Sequence, residues 1–201
     1  MPRADAQRNV DALLQAAKEA FAADGVDVNV RAIAAGAGVG TATLYRHFPL
    51  RSDLIAAVFR REIDACAAVA TRLAATHGPD EALTLWVRRY TEFVATKHGL
   101  AAALHSGDPA YSALPGYFAE RLGPALRMLL DHAESAGAIG PGADPLDLLG
   151  AIANLCIPPP GSSDTSRAYR MVALLLDGLR YQAVSGPGAA GPGRRRGSGP
   201  R

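Results

Sequence analysis

The chain has 201 residues, 49% of them hydrophobic, enough for one large domain or a small domain joined to a larger one. Ala and Leu abound while aromatic and β-branched residues are few, a balance that favours helices and counts against a sheet. The formal charge of +2 rests on four arginines of the final GRRRGSGPR; without them 17 basic side chains face 19 acidic ones, which excludes a generally basic surface.

Helical periodicity and punctuation give the elements in order. A first helix runs from about Asp5 to Asp24, with Val10, Leu13, Leu14, Ala17 and Phe21 on one stripe and Gly25 as its stop. Asn29 is placed to cap a short second helix over Arg31 to Ala35. After GAGVG a third short helix covers about Thr41 to Phe48, and Pro49 closes the unit. Ser52 and Asp53 are placed to cap a long fourth helix reaching about Thr76. A fifth follows HGPDEA and extends to Lys97, then a short one from Gly99 through Leu104, then the loop SGDPAYSALPG. Helices over about Gly116 to Ala136, Pro145 to Cys156 and Ser163 to Val184 complete the ordered part, with Asp144 and Pro145 as a start signal. From Ser185 on, Gly, Pro, Ala, Ser and Arg dominate, a composition read as a disordered tail with a few nonspecific positive charges.

The expectation is therefore an all-α chain: residues 1–50 as a three-helix unit, 51–184 as a larger helical domain and 185–201 as tail. No apolar run approaches the ~18 residues of a membrane helix, and the start MPRADAQRNVDALLQAAKEAF is charged throughout, unlike a secretory signal. A cytoplasmic protein is expected. Cys66 and Cys156 are too few and too distant for a metal centre, and His98, His105 and His132 lack i, i+3 or i, i+4 spacing, so neither metal nor cofactor is expected. No nucleophile–base pairing stands out, so an enzyme is not expected either.

GAGVGTATLYRHF, Gly36 to Phe48, poses the functional question. Its alternating glycines do not follow a strand and lack the G-x-G-x-x-G spacing, and no Gly-Lys-Ser/Thr follows; a nucleotide loop is excluded on both counts. Two short helices about a glycine turn make a helix-turn-helix. Ile33, Val39 and Leu44 would form its core, Ala34 the close packing, and Gly38 the turn. The second helix then presents Thr41, Ala42, Thr43, Tyr45, Arg46 and His47, small, hydrogen-bonding and basic groups suited to a major groove. Between Val30 and Arg61, Arg31, Arg46, Arg51, Arg60 and Arg61 stand against the single acid Asp53.

VRAIAAGAGVGTATLYRHFPLRSDLIAAVF closely resembles the DNA-binding segment of the TetR family of bacterial transcriptional regulators, most specifically in LYRHF followed by P-x-R-x-D-L. The likeness spans about Asn9 to Phe59. ATKHGLAAAL is similar to the start of the ligand domain in a subgroup from GC-rich bacteria. The resemblance implies base-edge contacts from Thr41, Ala42 and Arg46, with Arg31 reaching in from the preceding helix. It also implies phosphate contacts from Thr43, Tyr45, His47 and Arg51. Val30 replaces a threonine frequent among relatives, and Gly40 offers a base no side chain. Plainer readings stand beside these: Thr41 as a helix cap, Tyr45 half-buried against the fourth helix, Arg60 and Arg61 as a solvated face.

The resemblance also implies a homodimer and a small-molecule effector. One recognition helix reads little DNA, and two-fold proteins match palindromic half-sites, which argues separately for a dimer. Leu146, Leu149, Ile152 and Leu155, with Val172, Leu175, Leu176 and Leu179, form stripes for a four-helix interface, or else pack within the chain. Phe59, Ile63, Cys66, Trp86, Tyr90, Phe93, Tyr117, Phe118, Arg121, Met128, His132 and Asn154 mix aromatic walls with polar groups, the makings of an effector pocket or of an ordinary core. The expected function is a ligand-responsive repressor that leaves its operator when the effector binds; an activator or an effector-free DNA binder is the alternative.

Overall fold

The computed structural model describes residues 3–95, 107–157 and 166–184. Among them all regular structure is helical. Helix α1 spans Arg3–Asp24 and stops at Gly25, whose φ of 78° lies in the left-handed region and whose N–H donates to the Phe21 carbonyl at 3.1 Å. Asn29 caps α2 (Val30–Gly36), its Oδ1 accepting from the Arg31 N–H at 2.8 Å. The turn relies on Gly38 at φ 67°, after which the Val39 N–H returns to the Ala34 carbonyl at 3.0 Å. Helix α3 follows over Thr41–His47.

Helix α3 starts at Thr41 as expected; Gly40 is its N-cap and makes no side-chain cap bond, so the plainer reading of Thr41 as the cap falls away. The start of the next helix differs in part. The fourth helix, α4 (Arg51–Thr76), is capped by Leu50, not by Ser52, which is buried. Asp53 does act at this terminus: its Oδ2 accepts the Leu50 N–H at 3.0 Å, placing a carboxylate at the positive end of a 26-residue helix.

Beyond α4 come α5 (Pro79–Ala95), a 3-10 turn (Pro109–Tyr111), α6 (Leu114–Ser135), α7 (Pro145–Leu155) and α8 (Ser166–Val184). The 3-10 turn lies within the stretch expected to be a plain loop; Asp108 caps it through the Ala110 N–H at 2.9 Å. Helix α6 begins two residues before the expected Gly116, with Pro115 in its first turn, where a missing N–H costs nothing. Asp144 caps α7 as expected, its Oδ1 accepting from Leu146 and Asp147 at 2.8 and 3.0 Å. The expected short helix from Gly99 to Leu104, the end of the fifth at Lys97, the start of the last at Ser163 and the tail lie outside the described residues.

Two apolar cores result, and α4 serves both. Leu54 and Val58, one turn apart, join Leu13, Ile33, Leu44 and Phe48 in the smaller core. Ile55, Phe59 and Ile63 face the larger one, among Leu83, Trp86, Tyr90 and Leu126. Each fully buried leucine of this kind stabilises the fold by about 1.5–3 kcal/mol over an exposed one. Polar ties hold α1 onto α4: Lys18 pairs with the buried Glu62 at 2.8 Å, and Arg61 donates to the Asp11 carbonyl at 3.0 Å. Arg61 is exposed, as the plainer reading has it, and also ties two helices together.

Candidate nucleic-acid interface and the aromatic core

Helix α3 sits on the smaller core through Leu44, its one buried residue, which leaves most of its surface outside that core. Thr41, Ala42, Tyr45 and Arg46 are exposed, and Thr43 and His47 are half-buried. Arg31 is exposed on α2. Tyr45 is 52% accessible, so it is not the packing residue of the plainer reading. A small-residue start, a phenol and a guanidinium on one outward helix suit base edges and phosphate oxygens together.

Arg51 does not join this surface. Its Nε donates to the Val26 carbonyl at 2.9 Å and its Nη2 to the Val28 carbonyl at 2.6 Å, with a further Nη2 contact to Val26. In this arrangement Nε and Nη2 form a clamp on the loop between α1 and α2, a role the resemblance does not imply. Two carbonyls within reach of a planar fork of donors are enough to turn the side chain toward the loop.

The residues expected to line a pocket divide in two. Ile63, Cys66, Trp86 and Tyr90 are fully buried, and Phe59 and Phe93 nearly so. Trp86 stacks on Tyr90 with ring centroids 5.8 Å apart and donates Nε1–H to the Cys66 carbonyl at 3.0 Å. The Tyr90 hydroxyl donates to the Leu149 carbonyl at 3.1 Å, and its ring lies 6.0 Å from that of Phe118. Phe118, Tyr117 and Met128 are half-buried. By contrast, His132, Asn154 and Arg121 are exposed and stand apart from this core. His132 ends up near the C-terminus of α6 and Asn154 on the outer side of α7, because helical rotation carries them off the apolar face.

Arg121 and Tyr117 meet a partner that local sequence does not announce. Asp64 of α4 accepts the Tyr117 hydroxyl at 2.7 Å and Arg121 Nε at 2.7 Å, fastening α6 to the helix that follows the helix-turn-helix. This acceptor bond, with burial secondary, raises the Tyr117 phenol above its ordinary range. The clue available was an acid inside the apolar run EIDACAAVA.

The Cys66 thiol, held among apolar neighbours, is pushed up from 9.0 to about 11, chiefly by burial, with Arg89 opposing and Glu62 assisting. A raised folded-state value means the unfolded thiol ionises first. Its contribution to stability is complete below pH 9 and is lost as pH rises towards 11. Relative to Cys66→Ala, the unmodified chain should lose up to about 2 kcal/mol across that window, read from urea titrations at successive pH values. Parallel pH profiles for the two proteins would refute this.

The stripes expected to meet a partner turn mostly inward. Leu149, Ile152, Val172 and Leu176 are buried by their own chain, and Leu155, Leu175 and Leu179 are half-buried against the larger core. Of the eight, only Leu146 is strongly exposed, at 49%. The apolar groups in solvent on and beside these helices are Leu146, Ile157, Leu174 and Tyr181. Helix α7 is apolar on more than one side, so the face with the tidier stripe went to the nearer partner.

Residues 13–58 match the model for bacterial regulatory proteins of the tetR family, and residues 78–181 match that for the C-terminal domain of SbtR-like transcriptional regulators. No curated protein matches the sequence. Among solved structures, a TetR transcriptional regulator from Streptomyces coelicolor is 35% identical, with 85% of this chain and 98% of that one covered at a TM-score of 0.69. A TetR regulatory protein from Mycobacterium vanbaalenii is 33% identical, with coverage of 90% and 99% and a TM-score of 0.66. RolR in complex with resorcinol shares the fold at 20% identity, coverage of 91% and 93% and a TM-score of 0.58. Among the described residues no helix is long and apolar enough to cross a membrane. With a helix-turn-helix at its N-terminal end, with both family models matched in order, and with relatives of 35% and 33% identity covered almost end to end, the chain belongs to the TetR family of DNA-binding transcriptional regulators.

Proposed function

We propose that two copies of this chain read a palindromic operator with paired α3 helices and act as a repressor that lets go when a small molecule binds the larger core. The observation that carries the reading is the outward face of α3, where Arg46 and Tyr45 stand exposed beside Thr41 and Ala42. Arg46 carries the planar donor fork for a bidentate guanine contact, and Ala42 the methyl group for contact with a thymine methyl. Tyr45 and His47 donate to phosphate oxygens and set the register of the helix. Leu146, Ile157, Leu174 and Tyr181 supply the apolar surface for a second copy along α7 and α8. The core around Phe59, Phe93, Tyr117, Phe118 and Met128 borders α4, so a ligand seated there would bias the helix that carries the reading unit.

Selection of bound duplexes from a random pool tests the proposal. It should return a two-fold symmetric motif, and Arg46→Ala should lose about 1–3 kcal/mol on that motif with relaxed preference at one base position per half-site. An asymmetric motif would sink the dimer, and equal losses on all sequences would move Arg46 from base to phosphate. A second reading, regulation without an effector, draws on the complete burial of Trp86, Val87 and Tyr90, which touch no water-sized space. An operator complex indifferent to every small molecule offered would favour it.

A further inference from the structure

We infer that Arg51 is a positioning residue for DNA reading: it staples the two ends of the helix-turn-helix together and does not bind phosphate. The inference rests on α3 being the reading helix. The unit from Val30 to His47 enters from the loop after Gly25 and leaves through Phe48 into α4. Arg51, the first residue of α4, reaches back across this gap to the carbonyls of Val26 and Val28. One side chain therefore closes the stretch from residue 26 to residue 51 into a ring, with both α2 and α3 inside it.

The loop it holds is seated by Val26 against the larger core and Val28 against the smaller one, while its backbone carbonyls at both residues are taken by Arg51. Gly25 sits in the left-handed region, and the Val28 N–H reaches the Gly25 carbonyl only at 3.4 Å. On the far side of the clamped carbonyls stands Asn29, which caps α2 through the Arg31 N–H. The clamp thus fixes where α2 begins and where Arg31 is delivered. At the other end it is anchored by a helix start that Asp53 secures through the Leu50 N–H. Charge-assisted bonds from one planar fork to two carbonyls set direction as well as distance, which a lysine ammonium does not reproduce.

The test compares Arg51→Lys and Arg51→Met with the unmodified full-length chain, using a mixed-sequence 30-base-pair duplex across a salt series and amide hydrogen exchange without DNA. Positioning predicts that both variants exchange faster at the amides of residues 26–31 and bind about five-fold or more weakly. The slope of log affinity against log salt stays as in the unmodified chain. A phosphate contact predicts instead that lysine keeps the affinity, that Arg51→Met lowers the slope by about 0.9 per protomer, and that loop exchange is unmoved; that result overturns the inference. Unchanged exchange in both variants overturns it as well, whatever the affinities do. The exchange arm needs no duplex, so it decides the role of Arg51 even if α3 reads no DNA. Should Arg51→Met fail to fold, Arg51→Lys decides alone.

Discussion

Trp86→Ala should destabilise the chain by about 3–5 kcal/mol, a large share of the stability of an ordinary domain. The indole is fully buried at the middle of α5, stacked on Tyr90 and bonded to the Cys66 carbonyl, so truncation removes its packing contacts and leaves a void between α4, α5 and α6. Trp86→Phe keeps an aromatic plane against Tyr90 and should cost about half as much. Because the chain has one tryptophan, the urea titration is followed by circular dichroism at 222 nm and not by fluorescence. A loss below about 1 kcal/mol for Trp86→Ala would mean that the surrounding helices close over the gap. Such plasticity would argue for a core able to admit a ligand, so the measurement speaks to function as well as to stability.

The pair between Lys18 and Glu62 should also carry a large share of the stability. Glu62 is buried on α4, while Lys18 on α1 keeps 40% of its side chain in solvent, with 2.8 Å between the charged atoms. Lys18→Met strands the carboxylate and should cost about 2 kcal/mol, less than for a wholly buried pair because water reaches the lysine side of the site. Adding Glu62→Met removes the stranded charge and should restore most of that loss, giving a coupling energy of about 1 kcal/mol or more in a double-mutant cycle. If the double variant is no more stable than Lys18→Met, the pair does not carry the contact between α1 and α4. Arg61, bonded to the Asp11 carbonyl and 3.7 Å from its carboxylate, is the neighbouring strut and stays unaltered in the cycle.

The elements were legible where a residue does something only it can do locally. Gly25 and Gly38 take positive φ, and Asn29 and Asp144 put a side-chain oxygen over bare N–H groups, so each declares its boundary. Gly40 and Leu50 stand at the N-caps of α3 and α4 without a side-chain oxygen and so declare nothing; at α4 the expected Asp53 does act, while the expected Ser52 is buried. The exposed face of α3 was legible for the same local reason: with Leu44 inward, helical geometry turns Thr41, Ala42, Tyr45 and Arg46 to solvent. What was hidden is tertiary. Arg51 reaches carbonyls 25 and 23 residues away, and Asp64 finds Tyr117 and Arg121 across 53 and 57 residues. In α8 three successive leucines, Leu174 to Leu176, offer every face some apolar surface, and only the packed chain sends Leu176 inside and Leu174 out.

The double duty of α4 bears on how members of such a family exchange parts. Leu54 and Val58 belong to one core while Ile55 and Phe59, their immediate neighbours in sequence, belong to the other. A seam cut at Pro49, where the chain changes character, would deprive the reading unit of two of its own buried side chains and of the Glu62 that steadies α1. Recombination that transplants DNA specificity from one regulator to another therefore has its natural joint inside a continuous helix, past Glu62, between the two stretches that the family models match. Either parent must then contribute a helix whose two sides were shaped by different ancestors, and compatibility along that one rod becomes the condition for a working hybrid.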